Sequence, residues 1–408
     1  MRIHRLFSLL LALPLTACAG SASPQAPAKW APAAVHNGID VLHAGGFVGL
    51  AGRKVGLITN HTGLSVDGVS TAQLLHTAKA VKLVALFSPE HGFHGKGEGE
   101  IQDAVHEATG LRIHSLYTKS RAPNRANLKG IDTLVFDIQD IGCRFYTYIS
   151  TMGEAMQVAA KEKLRFVVLD RPNPIGGVVF GGPMRDVDAA SFVAWHNVPL
   201  RHGMTVGELA RMFVAERRIE VQLEVIAMDG WRRAMFFDAT GQTFVDPSPN
   251  MRSPTQALLY PGVGLLETTN LSVGRGTDTP FELIGAPWMN GRRLAAAIHA
   301  AKIPGLRCVP IRFTPTTSAH RDKLCHGIRF WIVDRAEFDP IRLGIELATA
   351  LRHLHPKAWS MKRFDRLLTN REVFRMVEDG QTADTIMRAI AQKLRGFAKR
   401  RAPFLLYK

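Results

Sequence analysis

Four apolar runs in this chain stop abruptly in polar clusters: KVGLITNHTG, KLVALFSPEHG, DTLVFDIQDIGCRFYTY and RFVVLDRPNP. Short runs rich in Val, Ile and Leu, bounded by turn formers, predict strands covered on both faces. Helical spacing fills the intervals. STAQLLHTAKA (70–80) has it, and Thr151 and Glu154 have capping-box spacing ahead of MGEAMQVAAKEK. Thr205 and Glu208 repeat the box ahead of ELARMFVAERR. IHSLY and VQLEVIAM (221–228) predict further strands, and TKSRAPNRANLKG a loop. Strand and helix in alternation predict a parallel sheet with crossover helices.

Proline gathers at 247–262 (PSPNMRSPTQALLYPG), and beyond it the alternation loosens. Asn290 is placed to cap GRRLAAAIHAAK, HGIRFWIVD (326–334) predicts a strand, and 341–354 and 382–400 predict helices. The expected fold class is α/β: a Rossmann-like parallel-sheet domain over 37–255, then a smaller α+β domain over 256–408 that completes a cleft. Segment 267–288 is polar, punctuated by glycine and too long for a mere connector, so it is expected to contribute to that cleft.

With 408 residues, 46% hydrophobic and 21% charged, the chain has globular composition. Its start stands apart. Arg2 and Arg5 precede LFSLLLALPL, too short to anchor stably across a bilayer, which predicts an export signal. The adjoining LTAC resembles a bacterial lipoprotein box, implying a signal over 1–17, a lipid on Cys18 and a Ser/Pro/Ala-rich tether over 18–36. The expected location is periplasm-facing and lipid-anchored, at the outer membrane since Ala19 comes directly after the cysteine. Cys143, Cys308 and Cys325 are an odd number without a CxxC, so neither a zinc site nor a disulfide framework is indicated, although Cys308 and Cys325 can pair. The formal charge is +16, and seven basic residues fall within 388–408. For an exported chain the anionic partners are wall glycans or lipid head groups rather than nucleic acid, and a solvated helix face is the plain alternative.

In open α/β sheets ligands sit beyond the carboxyl ends of the strands. Those ends carry Asn60 and His61, Glu90 and His91, Asp137 and Asp140, and Asp170, Arg171 and Asn173. Glu90, in the tight SPEHG exit, suits a partly desolvated general acid; capping a turn is the alternative. Asp137 and Asp140 can divide acid and base work, or one can merely order its loop. Arg144, Tyr146 and Tyr148 suit the walls of a sugar pocket, where Arg forks a carboxylate and aromatic faces meet pyranose C–H groups. A tyrosine can also be a nucleophile, and core packing is the plain role. No HxxxH or HxH supports a metal at His61 or His91, no GxSxG or SxxK supports a serine nucleophile, and GGFVGLAG (45–52) is not a dinucleotide motif. No cofactor or metal is expected.

Taken together, GLITNHTG, LFSPEHGFHG, VFDIQDIGCRFYTYISTM, VLDRPNPIGG and TNLSVGRGTDTPFELIGAPW resemble the NamZ-type exo-β-N-acetylmuramidases, in order over residues 37–408. The resemblance implies release of terminal N-acetylmuramic acid from the non-reducing ends of peptidoglycan fragments, in wall turnover and recycling. It makes Glu90 the catalytic acid, with Asp137, Asp140 and Asp170 as candidates for the second group. Asn270, Arg275 and Glu282 of the last motif join the substrate-binding candidates. The lactyl carboxylate of muramic acid calls for a cation, and Arg144, Arg171 and Arg275 are the candidates. The partners implied are muropeptides or disaccharides, and a membrane reached through Cys18. The rival is a glycan-binding lipoprotein that keeps the cleft without catalysis.

Overall fold

The computed structural model describes residues 35–97, 101–117 and 121–408. The expected signal, Cys18 and the tether up to residue 34 lie outside the described residues. Val35 and His36, the tether's last positions, are already packed: Val35 is buried and the His36 amide donates to the Asp229 carbonyl at 2.9 Å.

Alternation in the first half yields α1 (Gly38–Ala44), β1 (Lys54–Thr59), α2 (Thr71–Thr77), β2 (Lys82–Ser88), β3 (Ala104–Val105) and β4 (Arg112–Ser115). It continues through β5 (Thr133–Asp137), α3 (Tyr148–Lys161), β6 (Arg165–Leu169), α4 (Val206–Arg217) and β7 (Leu223–Ile226). The strands form one sheet in the order β3-β4-β2-β1-β5-β6-β7, parallel except for β3. Both faces of its central strands are buried. Ile58, Phe87, Phe136 and Val168 enter the core that holds α3 and α4, while Leu57, Leu86, Val135 and Leu169 enter the one that holds α1 and α2. A strand covered on both sides has no polar face to keep wet, hence the unbroken apolar runs. Chain order reverses at β1, which pairs with β2 on one side and β5 on the other.

One boundary differs from the capping pattern. Helix α3 begins at Tyr148 with Thr147 as its N-cap, not at Thr151. Burial of Tyr148 and Ile149 draws an extra turn into the helix. Thr151 back-bonds to the Thr147 carbonyl at 3.3 Å, and Glu154 accepts the Trp195 indole N–H at 2.8 Å instead of closing a box. The Thr205–Glu208 box does form at the start of α4.

The proline-rich stretch contains a helix, α5 (Pro254–Val263), which starts on Pro254, where a missing N–H would have had no intrahelical partner. It packs tightly against the chain near Pro340: a Cβ on Gly262 would lie 1.9 Å from the Pro340 carbonyl oxygen, so only glycine fits. The smaller α+β part comprises β8 (Leu283–Ala286), α6 (Gly291–Ala300), β9 (Leu306–Phe313), β10 (Cys325–Ile332) and α7 (Pro340–Leu354). It ends in α8 (Asp365–Leu368), α9 (Arg371–Glu378) and α10 (Ala383–Arg401). Its sheet is antiparallel, in the order β8-β10-β9, and Asn290 caps α6 as predicted. Register settles the cysteines: Cys325 faces Phe313 and Cys308 faces Phe330, five rungs away, on the order of 17 Å along the strand. They do not pair. Some of the carboxyl-terminal charge is internal to the fold: Lys393 pairs with Glu372, Arg400 with Glu216 at 2.6 Å, and Arg401 is buried on the Gly177 and Gly203 carbonyls.

Candidate active site

A cleft of about 620 Å³ opens where the ends of β2 and β5 meet α5, segment 267–281 and the turn before α8. Glu90 stands on its wall. Strand β2 ends at Ser88, Pro89 accepts the Gly92 amide at 3.0 Å, and His91 takes a left-handed backbone (φ 69°), which lifts Glu90 clear of the sheet. His91 lines the same wall, its Nδ1 3.0 Å from the Gly97 carbonyl. Thr147 donates to Glu90 Oε2 at 2.5 Å, and the Tyr117 hydroxyl bonds the same carboxylate. Burial, then the charge of Glu90 and this bond, push the Tyr117 phenol above its ordinary value.

The loop before Thr147 owes its place to Gly142. That residue has φ 83°, and a Cβ there would lie 2.4 Å from Asn173 Oδ1 and 2.8 Å from Ile175. Released from the sheet, the loop presents Phe145 and Tyr146 to the cleft, and the first residue of α3 adds Tyr148. Tyr146 meets Tyr148 edge-on at 5.0 Å and Tyr260 at 5.9 Å, and Tyr260 meets Phe281 at 4.7 Å. An apolar aromatic wall thus runs from the first sheet to the second half of the chain. Burial pushes the Tyr146 and Tyr148 phenols upward, and Tyr148 donates to the Pro247 carbonyl at 2.5 Å. Both facts oppose the phenolate that a tyrosine nucleophile would need.

Asn60 and His61 do not line the cleft; they hold what does. Asn60 donates to the Tyr148 hydroxyl at 3.2 Å. His61 Nε2 sits 2.6 Å from the Asp246 carbonyl, its ring is packed against Gly95, and burial lowers its pKa. Between them they steady the 246–250 loop, whose Ser248 and Asn250 reach the cleft.

The other three acidic candidates are not brought to Glu90. Asp137 is fully buried and receives Arg171 through Nε at 2.5 Å and Nη2 at 2.9 Å, with the Thr71 hydroxyl on the same carboxylate. Asp140 turns back on its own loop, accepting the Gly142 amide at 2.7 Å with His202 Nε2 at 3.5 Å. Asp170 is fully buried at the start of α4. It accepts from Thr205 at 2.7 Å, Tyr407 at 2.6 Å and the Gly207 amide at 2.8 Å, and burial lifts its pKa to about 6. These strand ends share a rim but turn into the fold, where Asp137 and Asp170 are held by several donors each and Asp140 by the Gly142 amide on one oxygen.

Four substrate-binding candidates are corrected for the same reason. Arg171 belongs to Asp137 and borders a separate pocket of about 260 Å³. Arg144 is fully buried and donates to the carbonyls of Pro183, Val198, Leu367 and Leu368 and to the Thr369 hydroxyl; burial lowers its pKa to about 9. Asn173 bonds the Met204 carbonyl at 3.0 Å, and Glu282 meets Arg329 at 3.4 Å and Gln256 at 3.3 Å. A fifth, Asn270, lies beside the cleft as a clamp: it donates to the Ala358 carbonyl and accepts the Ser360 amide, both at 2.8 Å.

Arg275 does line the cleft, between Gly274 (φ 84°) and Gly276 (φ 78°), and pairs with Glu267. Glu267 is the carboxylate the motifs missed: besides Glu90, it is the other acidic side chain on the cleft among the described residues. Its one signal was its place at the head of segment 267–288. Thr147 and Tyr260 were hidden in apolar surroundings, and Arg363 just before α8 and Arg366 within it had no local motif at all. No group of three His, Cys, Asp or Glu able to hold a metal occurs among the described residues.

The chain is similar to known proteins over most of its length. Residues 55–255 match the family model described as exo-beta-N-acetylmuramidase NamZ, N-terminal, and residues 258–407 match its C-terminal counterpart. The chain is 40% identical over 398 residues to the peptidoglycan beta-N-acetylmuramidase NamZ of Bacillus subtilis (strain 168), covering 96% of each. Crystal structures of two DUF1343 family proteins from Bacteroides fragilis superpose with TM-scores of 0.86 and 0.76 at 35% and 30% identity. Each alignment covers 92% of this chain and 99% of the other.

Proposed function

The chain belongs to the exo-β-N-acetylmuramidase NamZ family, and from that premise we propose how its cleft does the work. The protein is a glycoside hydrolase that removes terminal N-acetylmuramic acid from the non-reducing ends of peptidoglycan fragments. Glu90 is the acid that protonates the leaving oxygen. The observation carrying this role is that Glu90, alone of the four strand-end carboxylates, lines the cleft, held there by Thr147 and Tyr117. Glycoside cleavage passes through an oxocarbenium-like centre that a second negative group or the substrate's own 2-acetamido oxygen stabilises. Glu267, steadied by Arg275, is the protein group available for it. The aromatic wall of Tyr146, Tyr148 and Tyr260 takes the apolar face of the sugar ring.

The LTAC sequence supports a processed, lipid-bearing Cys18, hence a periplasm-facing protein tethered at the outer membrane and recycling wall fragments. A chromogenic N-acetyl-β-muramide and a muramyl–glucosamine disaccharide test the activity directly. Release of the chromophore and of free N-acetylmuramic acid is expected. Binding without release would instead describe a glycan-binding protein.

A further inference from the structure

Muramic acid differs from glucosamine by a lactyl ether that carries a carboxylate on the same ring as the bond to be cut. A buried or cleft-bound carboxylate needs a cation, best a guanidinium that can meet both oxygens. Arg144 and Arg171 are withdrawn into the fold, and Arg275 is paired with Glu267. Two further arginines, Arg363 and Arg366, line the same cleft, exposed and without a carboxylate ion pair among the described residues. Accepting the muramidase reading above, we infer that Arg363 and Arg366 anchor the lactyl carboxylate and so select muramyl over glucosaminyl ends.

Two features beyond exposure favour this pair over ordinary surface charge. The segment that carries it is fixed from both sides. Asn270 clamps Ala358 and Ser360, and the Thr268 hydroxyl donates to the Arg363 carbonyl at 2.7 Å. From below, buried Arg144 holds the carbonyls of Leu367 and Leu368, directly after Arg366. A turn serving only as solvated surface has no need of a buried cation beneath it. Arg366 also stands toward the reacting end of the cleft: both arginines line it with Glu90, and the charge of Arg366 acts on the Tyr117 hydroxyl that bonds Glu90. Arg144 and Asn270 then are positioning residues for the anchor, neither of them lining the cleft.

Calorimetric binding of N-acetylmuramic acid, its methyl ester and N-acetylglucosamine to the wild type, Arg363→Ala, Arg366→Ala and the double variant tests the anchor. A charge-assisted pair predicts that the wild type prefers the acid over the ester by about ten- to a hundredfold, and that the double variant loses this preference. N-acetylglucosamine should bind all four proteins alike, which also certifies that the cleft is intact. Undiminished preference for the acid in the double variant overturns the anchor, as does a wild type that binds acid and ester equally. Failure of the muramidase reading is a separate result: wild-type protein that releases nothing from the chromogenic muramide.

Discussion

The Thr147 hydroxyl donates to Glu90 Oε2 across 2.5 Å, tying the N-cap of α3 to the turn at the end of β2. The two residues are 57 apart in sequence, and the bond fixes the carboxyl on the cleft wall with one oxygen engaged. A proton delivered to a glycosidic oxygen needs that fixity, since misplacing an acid by a fraction of its reach costs rate steeply.

Thr147→Val removes the bond and keeps the shape. Turnover of the chromogenic muramide should fall about ten- to a hundredfold, with thermal stability nearly unchanged, and Thr147→Ser should restore most of the rate. Equal rates in the valine and wild-type proteins would show that the bond does not position Glu90.

Asp137 behaves differently because it is a structural ion pair. Asp137→Asn leaves the Arg171 guanidinium buried without its counter-charge, a loss of about 3–5 kcal/mol, readable in urea unfolding. Activity per folded molecule, measured well below the unfolding midpoint, should change far less than in a Glu90 variant.

Much of the fold was legible because a strand buried on both faces leaves an unbroken Val, Ile and Leu run, and β1, β2, β5 and β6 each have one. The cleft was legible only in part. Glu90 and Asp137 look alike in sequence, both acidic at a strand exit. What separates them is a partner far along the chain: Arg171 lies 34 positions beyond Asp137, and Tyr407 lies 237 beyond Asp170. No local pattern reports that a carboxylate is already satisfied. Glu267, Arg363 and Arg366 were missed for the converse reason, since their chemistry comes from lining one cleft with Glu90 rather than from their sequence neighbours. The early start of α3 escaped because the burial of Tyr148, a tertiary effect, overrode the capping spacing.

Asp170 predicts a pH dependence of stability. Burial raises its folded pKa to about 6, above the ordinary value of about 3.9, so the folded state holds this proton more tightly than the unfolded one. Its contribution is therefore fully present below about pH 4 and is lost as pH rises through 6, a change on the order of 3 kcal/mol. The unfolding free energy of the wild type relative to Asp170→Asn should shrink by about that amount between pH 4 and pH 8. A difference that stays constant over this range would refute the shift.

Cys18 carries the location. Detergent-phase partitioning and metabolic labelling with a radioactive fatty acid should both mark the wild-type protein, and both should vanish in Cys18→Ala. A wild-type protein found unlabelled in the aqueous phase would remove the anchor and leave the enzymology untouched.

The central claim is tested most directly by the turnover of Glu90→Gln on an N-acetyl-β-muramide with a poor, unactivated leaving group, with binding of N-acetylmuramic acid measured alongside. The isosteric amide cannot give up the proton, so kcat should drop by about two to four orders of magnitude while binding and thermal stability stay close to wild type. A variant that cleaves this substrate at a rate near that of the wild type would show that Glu90 is not the acid.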